Sequence, residues 1–161
     1  MSFSPQSKVW IYQSDRAFSA DEVIEIEQKL NDFTSQWKAH GHQLNAMAQV
    51  LHQFFIVFIV DEATAGVTGC SIDASVKIVK ELEQQYHVDL FNRFNMAYLK
   101  DGKVVVNSKE DFETLINIKA VGPTTIVFNN MVQTLGDFEA KWQVPFEQSW
   151  HQQVFAHLLK A

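Results

Sequence analysis

The stretch that most limits how this chain can fold is Phe54 to Val60, FFIVFIV, followed at once by Asp61-Glu62. Seven consecutive apolar residues have no polar face to turn to water. They are also far short of the roughly 20 that cross a bilayer as a helix. They predict a central strand covered on both sides, leaving its sheet through two acids. A loop carrying Thr64, Gly66 and Gly69 follows, and Cys70-Ser71 opens an amphipathic helix. Its register turns Ile72, Val76, Val79, Leu82 and Tyr86 inward.

Upstream, Lys8 to Gln13 alternates and is rich in β-formers, which predicts a first strand. Ser19-Ala20-Asp21-Glu22 fits a capping box, and Val23, Ile26, Leu30, Phe33 and Trp37 then form one apolar stripe ending near Gly41. Leu44 to Val50 is ambiguous between loop and a short extended piece. A strand, a helix and a second strand make a right-handed βαβ crossover, so the first two strands are expected to be parallel. Downstream, Asp101-Gly102 between two β-rich runs predicts a hairpin, and Ser108 to Asp111 caps a short helix. Thr124 to Phe128 reads as a strand turning back at Asn129-Asn130 through Gln133. A short helix to Trp142 and a helix from Ser149 to Leu159 end the chain. With no repeat or linker to divide it, the sequence predicts an α/β (α+β) fold spanning residues 1–161 as one domain. That domain holds a single mixed sheet of five or six strands with helices packed on it.

Composition narrows the function. The formal charge is −6, from 13 basic and 19 acidic residues with the basic ones scattered. A nucleic-acid partner calls for a clustered basic face, so none is expected. The N-terminal segment lacks a basic and then apolar leader, and the single cysteine forms no internal disulfide. Both point to the cytoplasm, with no membrane span. Thirteen Phe and four Trp imply a bulky core. With the C-terminal series Trp142, Phe146, Trp150 and Phe155, they make a homodimer plausible.

An apolar strand ending in Asp-Glu and followed by Thr-x-Gly looks like the Walker B segment of ABC-type ATPases. That likeness would give Asp61 a magnesium and Glu62 the attacking water. The chemistry also needs a phosphate loop, G-x-x-x-x-G-K-[ST], and the glycines at 41, 66, 69, 102, 122 and 136 make none. Nucleotide hydrolysis is therefore the third-ranked reading. Taken whole, the segments WIYQ (10–13), WKAHGHQL (37–44), FIVDEATAGVTGCSID (58–73), KELEQQY (80–86) and the late FNN…W…VP…SW pattern resemble a family of short bacterial proteins, about 160 residues long, often labelled "ABC transporter ATPase". The resemblance implies a common fold and supplies no catalytic residues.

The leading expectation is a domain that binds a small anionic ligand or a protein partner at the 61–73 loop. Ser71 is read as the N-cap, with Ala74 at the third helical position leaving amides open and Asp73 facing the positive helix end. The candidate ligand-binding residues are Asp61, Glu62, Thr64, Gly66, Gly69, Cys70, Ser71 and Asp73, with His40 and His42 nearby. Trp37 and His40, three apart, suit a helix-end cap or pocket wall. The alternative is an enzyme using Cys70 as a thiol nucleophile or the Asp61/Glu62 pair. His40-Gly41-His42 has no companion ligand motif, so no metal is assigned and no cofactor is named.

Overall fold

The computed structural model describes residues 3–63 and 65–159. The chain divides into two compact units, one made of Met1–Phe91 with Gln133–Phe138, the other of Asn92–Val132 with Glu139–Ala161.

The first unit holds β1 (Lys8–Gln13), α1 (Ala20–Ser35), the two-residue strands β2 (Lys38–Ala39) and β3 (His42–Gln43), β4 (Asn45–Leu51), β5 (Phe55–Asp61) and α2 (Gly69–Tyr86). β5 is the central strand of a three-stranded sheet ordered β1-β5-β4, and every side chain from Phe55 to Val60 is buried. Ile56, Phe58 and Val60 pack with Ile26 and Leu30 of α1 and Val79 and Leu82 of α2. The 19–22 capping box closes as expected: Ser19 Oγ accepts from the Glu22 amide and Glu22 Oε1 from the Ser19 amide. Arg16 braces both helices, donating to both Glu22 carboxylate oxygens at 2.9 Å and to the Tyr86 carbonyl at the end of α2. That pairing holds the Glu22 carboxyl down at about 2. Burial, with Glu25 accepting the Tyr86 hydroxyl, pushes that phenol up to about 12.

Two expectations fail here. β1 and β5 are antiparallel, with Lys8 opposite Val60 and Gln13 opposite Phe55. The ambiguous segment before the apolar run is a full strand, β4, joined to β5 by a tight connection. The α1 crossover therefore links β1 to β4. Those two strands run parallel to each other, with β5 inserted between them. The predicted single mixed sheet is also absent. The strands form three separate sheets of three, two and four, and every strand pairing among the described residues is antiparallel. The fold is α+β. A continuous apolar run is the habit of buried parallel strands, but a central antiparallel strand with every side chain buried reads the same way.

The second unit contains β6 (Met96–Lys100), β7 (Lys103–Asn107), α3 (Lys109–Asn117), β8 (Ile126–Phe128), β9 (Gln143–Pro145) and α5 (Trp150–Leu159). Its sheet is ordered β7-β6-β8-β9. The Asp101-Gly102 hairpin forms as predicted, with φ of 52° and 78° at the turn. Positive φ at both central residues is what a two-residue turn matching the strand twist requires. Ser108 caps α3 by accepting from the Asp111 amide. β8 does not turn back at Asn129-Asn130. It pairs instead with β9, and Asn130 Oδ1 accepts from the Trp142 indole. Phe112, Phe146 and Phe155 form the centre of this core, and His151 is packed against them. The remaining helix, α4 (Leu135–Lys141), begins where Thr134 Oγ1 accepts from the Asp137 amide. Among the described residues no helix is long and apolar enough to cross a membrane.

Candidate functional site

The end of α1 is set by the residues that follow it. The helix stops at Ser35, earlier than the apolar stripe suggests, because 38–43 fold into the β2–β3 hairpin. His40 and Gly41 form its turn at φ of 50° and 79°. The Gln43 side-chain amide lies 3.1 Å from the carbonyls of Thr34, Trp37 and Leu44, so it caps the helix end and fixes the hairpin root together. Trp37 is thereby placed outside the helix, buried against Phe33 and Phe58. Its indole donates at 2.9 Å to the carbonyl of Ser71. One hydrogen bond ties the end of the first helix to the start of the second.

α2 starts two residues earlier than predicted. Thr68 is the N-cap: its Oγ1 accepts from the Ser71 amide, and Ser71 Oγ accepts from the Thr68 amide at 2.7 Å. Ser71 is therefore the third helical residue of a reciprocal capping box and is buried. Asp73 falls beyond the first turn, which holds no acid. The amides of Gly69 and Cys70 have no hydrogen-bond partner among the described residues. The signal was present in Thr68-x-x-Ser71, but serine is a rarer third-position partner than Glu or Gln.

Between these two helix ends lies an open groove of about 830 Å³. Phe33 and Trp37 give it an apolar wall. Asp32, Lys38 and His40 stand at its rim, and Gly69, Cys70 and Ala74 form the opposite side. Cys70 is a free, exposed thiol. The predicted residues His40, Gly69, Cys70 and Ser71 thus meet at one place, with Trp37 as the pocket wall.

The others do not join them. Asp61 Oδ2 accepts from the Ser4 amide and Oδ1 from the Ala63 amide. Glu62 Oε2 accepts from the Val67 amide at 2.8 Å, and its Oε1 lies 3.1 Å from Lys8 Nζ. The acidic pair closes its own loop. Gly66 serves the same closure, since a Cβ there would stand 3.0 Å from Glu62 Oε2. His42, on β3, and Asp73 are exposed and do not line the groove. Thr64 lies outside the described residues. Among the described residues no three His, Cys, Asp or Glu side chains converge to hold a metal ion. Sequence reading missed Phe33, Asp32 and Lys38 as groove residues. Phe33 carried the ordinary signature of a core position.

The chain matches no protein-family model, no curated protein and no solved structure.

Proposed function

We propose that this chain is a binding module with no chemistry of its own, and that the groove between the end of α1 and the start of α2 holds its ligand or a segment of a protein partner. The observation that carries this is the convergence of an aromatic wall, a mixed-charge rim and two unpartnered helix-start amides on one open groove. A ligand with an apolar body and an anionic end suits it, the body lying on Phe33 and Trp37 and the anion at the Gly69 and Cys70 amides. The bonds that Asp61 and Glu62 make to Ser4, Ala63, Val67 and Lys8 speak against a hydrolytic role for them. The family resemblance is retained as a shared fold, and the label attached to it describes no activity here. Thiol chemistry is the second reading, because His40 lines the same groove as Cys70. The exposed free thiol supports a reducing compartment, hence the cytoplasm, as the place of action.

The test uses Cys70 as a reporter. A thermal-shift screen with phosphorylated metabolites, nucleotides and acyl-CoA compounds identifies stabilising ligands. A ligand of the groove then slows alkylation of Cys70. Ligands that raise the melting temperature and leave that alkylation rate unchanged would place binding elsewhere and refute the proposal.

A further inference from the structure

We infer that α5 is an acid-released latch: protonation of His151 undocks this helix from α3 while the sheet of the second unit stays folded. α5 spans Trp150–Leu159, and its chief packing partners are α3 and the turn of helix at Phe146–Gln148. Ten residues make a marginal helix in water, so α5 depends on its docking to persist. Trp150, His151, Phe155 and Leu158 supply the docking face, against Phe112 and Phe146.

Two features weaken that face. The Trp150 indole N–H is shielded from solvent and meets no partner among the described residues. It gains a hydrogen bond from water when the helix lifts, which favours release. Ser149 precedes the helix in the position of a cap, but its hydroxyl lies 2.7 Å from His151 Nδ1. No side-chain oxygen caps the first turn of α5 among the described residues. The start of the helix is therefore ordered by the histidine ring.

That ring decides when the latch opens. It is fully buried, stacked on Trp150 and packed on Phe112 and Phe146. The charged groups of the elements around it are Lys109, Glu110, Asp111 and Glu113 of α3, Glu147, and His157 of α5 itself. Among the described residues none of them makes an ion pair or hydrogen bond to the ring. A proton there puts a charge among aromatic rings with one hydroxyl beside it. Stacking on the indole recovers part of that cost, but burial outweighs it and holds the imidazole down to about 4. In the released helix the ring is solvated and titrates near its ordinary value of 6.5. Docking is thus at full strength above pH 6.5 and weakens about tenfold per pH unit from there down to 4. The loss is local in kind, because the four-stranded sheet keeps its own ladder of backbone bonds when α5 leaves.

Hydrogen exchange of the whole chain, resolved by mass spectrometry and corrected for the intrinsic pH dependence of the amides, reads the latch directly. Amides of α5 are expected to be less protected than those of β6 at every pH. Their protection should fall about a hundredfold between pH 6.5 and 4. The double variant Ser149→Ala/His151→Phe keeps an apolar docking face and should lose that fall. A second measurement needs no variant. Fluorescence of an apolar dye on the wild-type chain should rise over the same pH range, as Phe112 and Phe146 are uncovered, while β6 amides stay protected. Protection of α5 equal to that of β6 at every pH overturns the inference. So does protection of α5 that ignores pH, a variant with the wild-type pH dependence, or a dye signal that stays flat.

Discussion

Consider what happens to the second unit when the pH falls from 7 to 4. His151 is 1% exposed, and its Nδ1 lies 2.7 Å from the buried hydroxyl of Ser149. The indole of Trp150 stacks on the ring at 3.9 Å, and the rings of Phe112 and Phe146 pack against it. Burial among rings with no carboxylate at hand pushes the imidazole down from 6.5 to about 4. The folded chain therefore favours the neutral ring. The unfolded chain takes up the proton as the pH drops below 6.5, and the folded chain does so only near 4. The stabilisation is complete above pH 6.5 and is lost progressively down to 4. The gap between 6.5 and about 4 corresponds to about 3 kcal/mol. That is a large fraction of the stability of an ordinary domain. The perturbation is the pair Ser149→Ala/His151→Phe, which removes the titrating ring and its hydrogen-bond partner together, so no buried polar atom is left alone. Urea unfolding of wild type and variant, followed by tryptophan fluorescence at half-unit pH steps, measures the difference. Wild type should lose about 3 kcal/mol more than the variant between pH 6.5 and 4. Glu22 does not contribute to that window's upper half, because a carboxyl held at about 2 releases its stabilisation only as the pH falls below 4.5. Parallel pH profiles for the two proteins would refute the assignment.

Other outcomes follow from the site. Thr68→Ala removes one half of the reciprocal cap and should cost about 1 kcal/mol in urea unfolding. Trp37→Phe keeps the aromatic wall but removes the indole's bond to the Ser71 carbonyl, which keeps its place in the helix ladder, so a loss of about 1 kcal/mol is expected by the same assay. His87 ends α2 at φ 53°. His87→Gly should therefore raise stability by up to about 1 kcal/mol, read as a higher melting temperature by circular dichroism. Glu62→Gln should lower the melting temperature through loss of the Lys8 pair, with no change in the alkylation rate of Cys70.

Local signals in the sequence were faithful where chemistry is local. Ser19 with Glu22 and Asp101 with Gly102 each act within a few residues, and both form as read. Phe54 to Val60 announced a central strand because nothing else can hold so many adjacent apolar side chains. The errors concern pairing. Asn45 to Leu51 alternates weakly, with Gln49 and Asn45 half-buried, and its strand is stabilised by β5 beside it and by Glu27 accepting from the Val50 amide. Missing that one strand reverses the direction of β5 relative to β1 and merges sheets that are separate. The groove was half legible. Cys70 and His40 stand out as residue types, whereas Phe33 and Asp32 look like any core and surface position of a helix. The commitment of Asp61 and Glu62 to structural bonds depends on Ser4 and Lys8, which the sequence does not place near them, as well as on Val67 within their own loop.

Gln133 to Phe138 adds to the outer edge of β1. The Val9 amide donates to Gln133, the Leu135 amide donates to Ser7, and Gly136 sits 3.4 Å from Pro5 through its would-be Cβ. These contacts join the segment around β1 to one far later in the chain. During synthesis the β4–β5 hairpin can form early, while β1 waits with one side unpaired until Gln133 to Phe138 has emerged. A chain halted before Gln133 would present that bare edge to its neighbours. The assembly of the first unit thereby waits for the synthesis of Gln133 to Phe138.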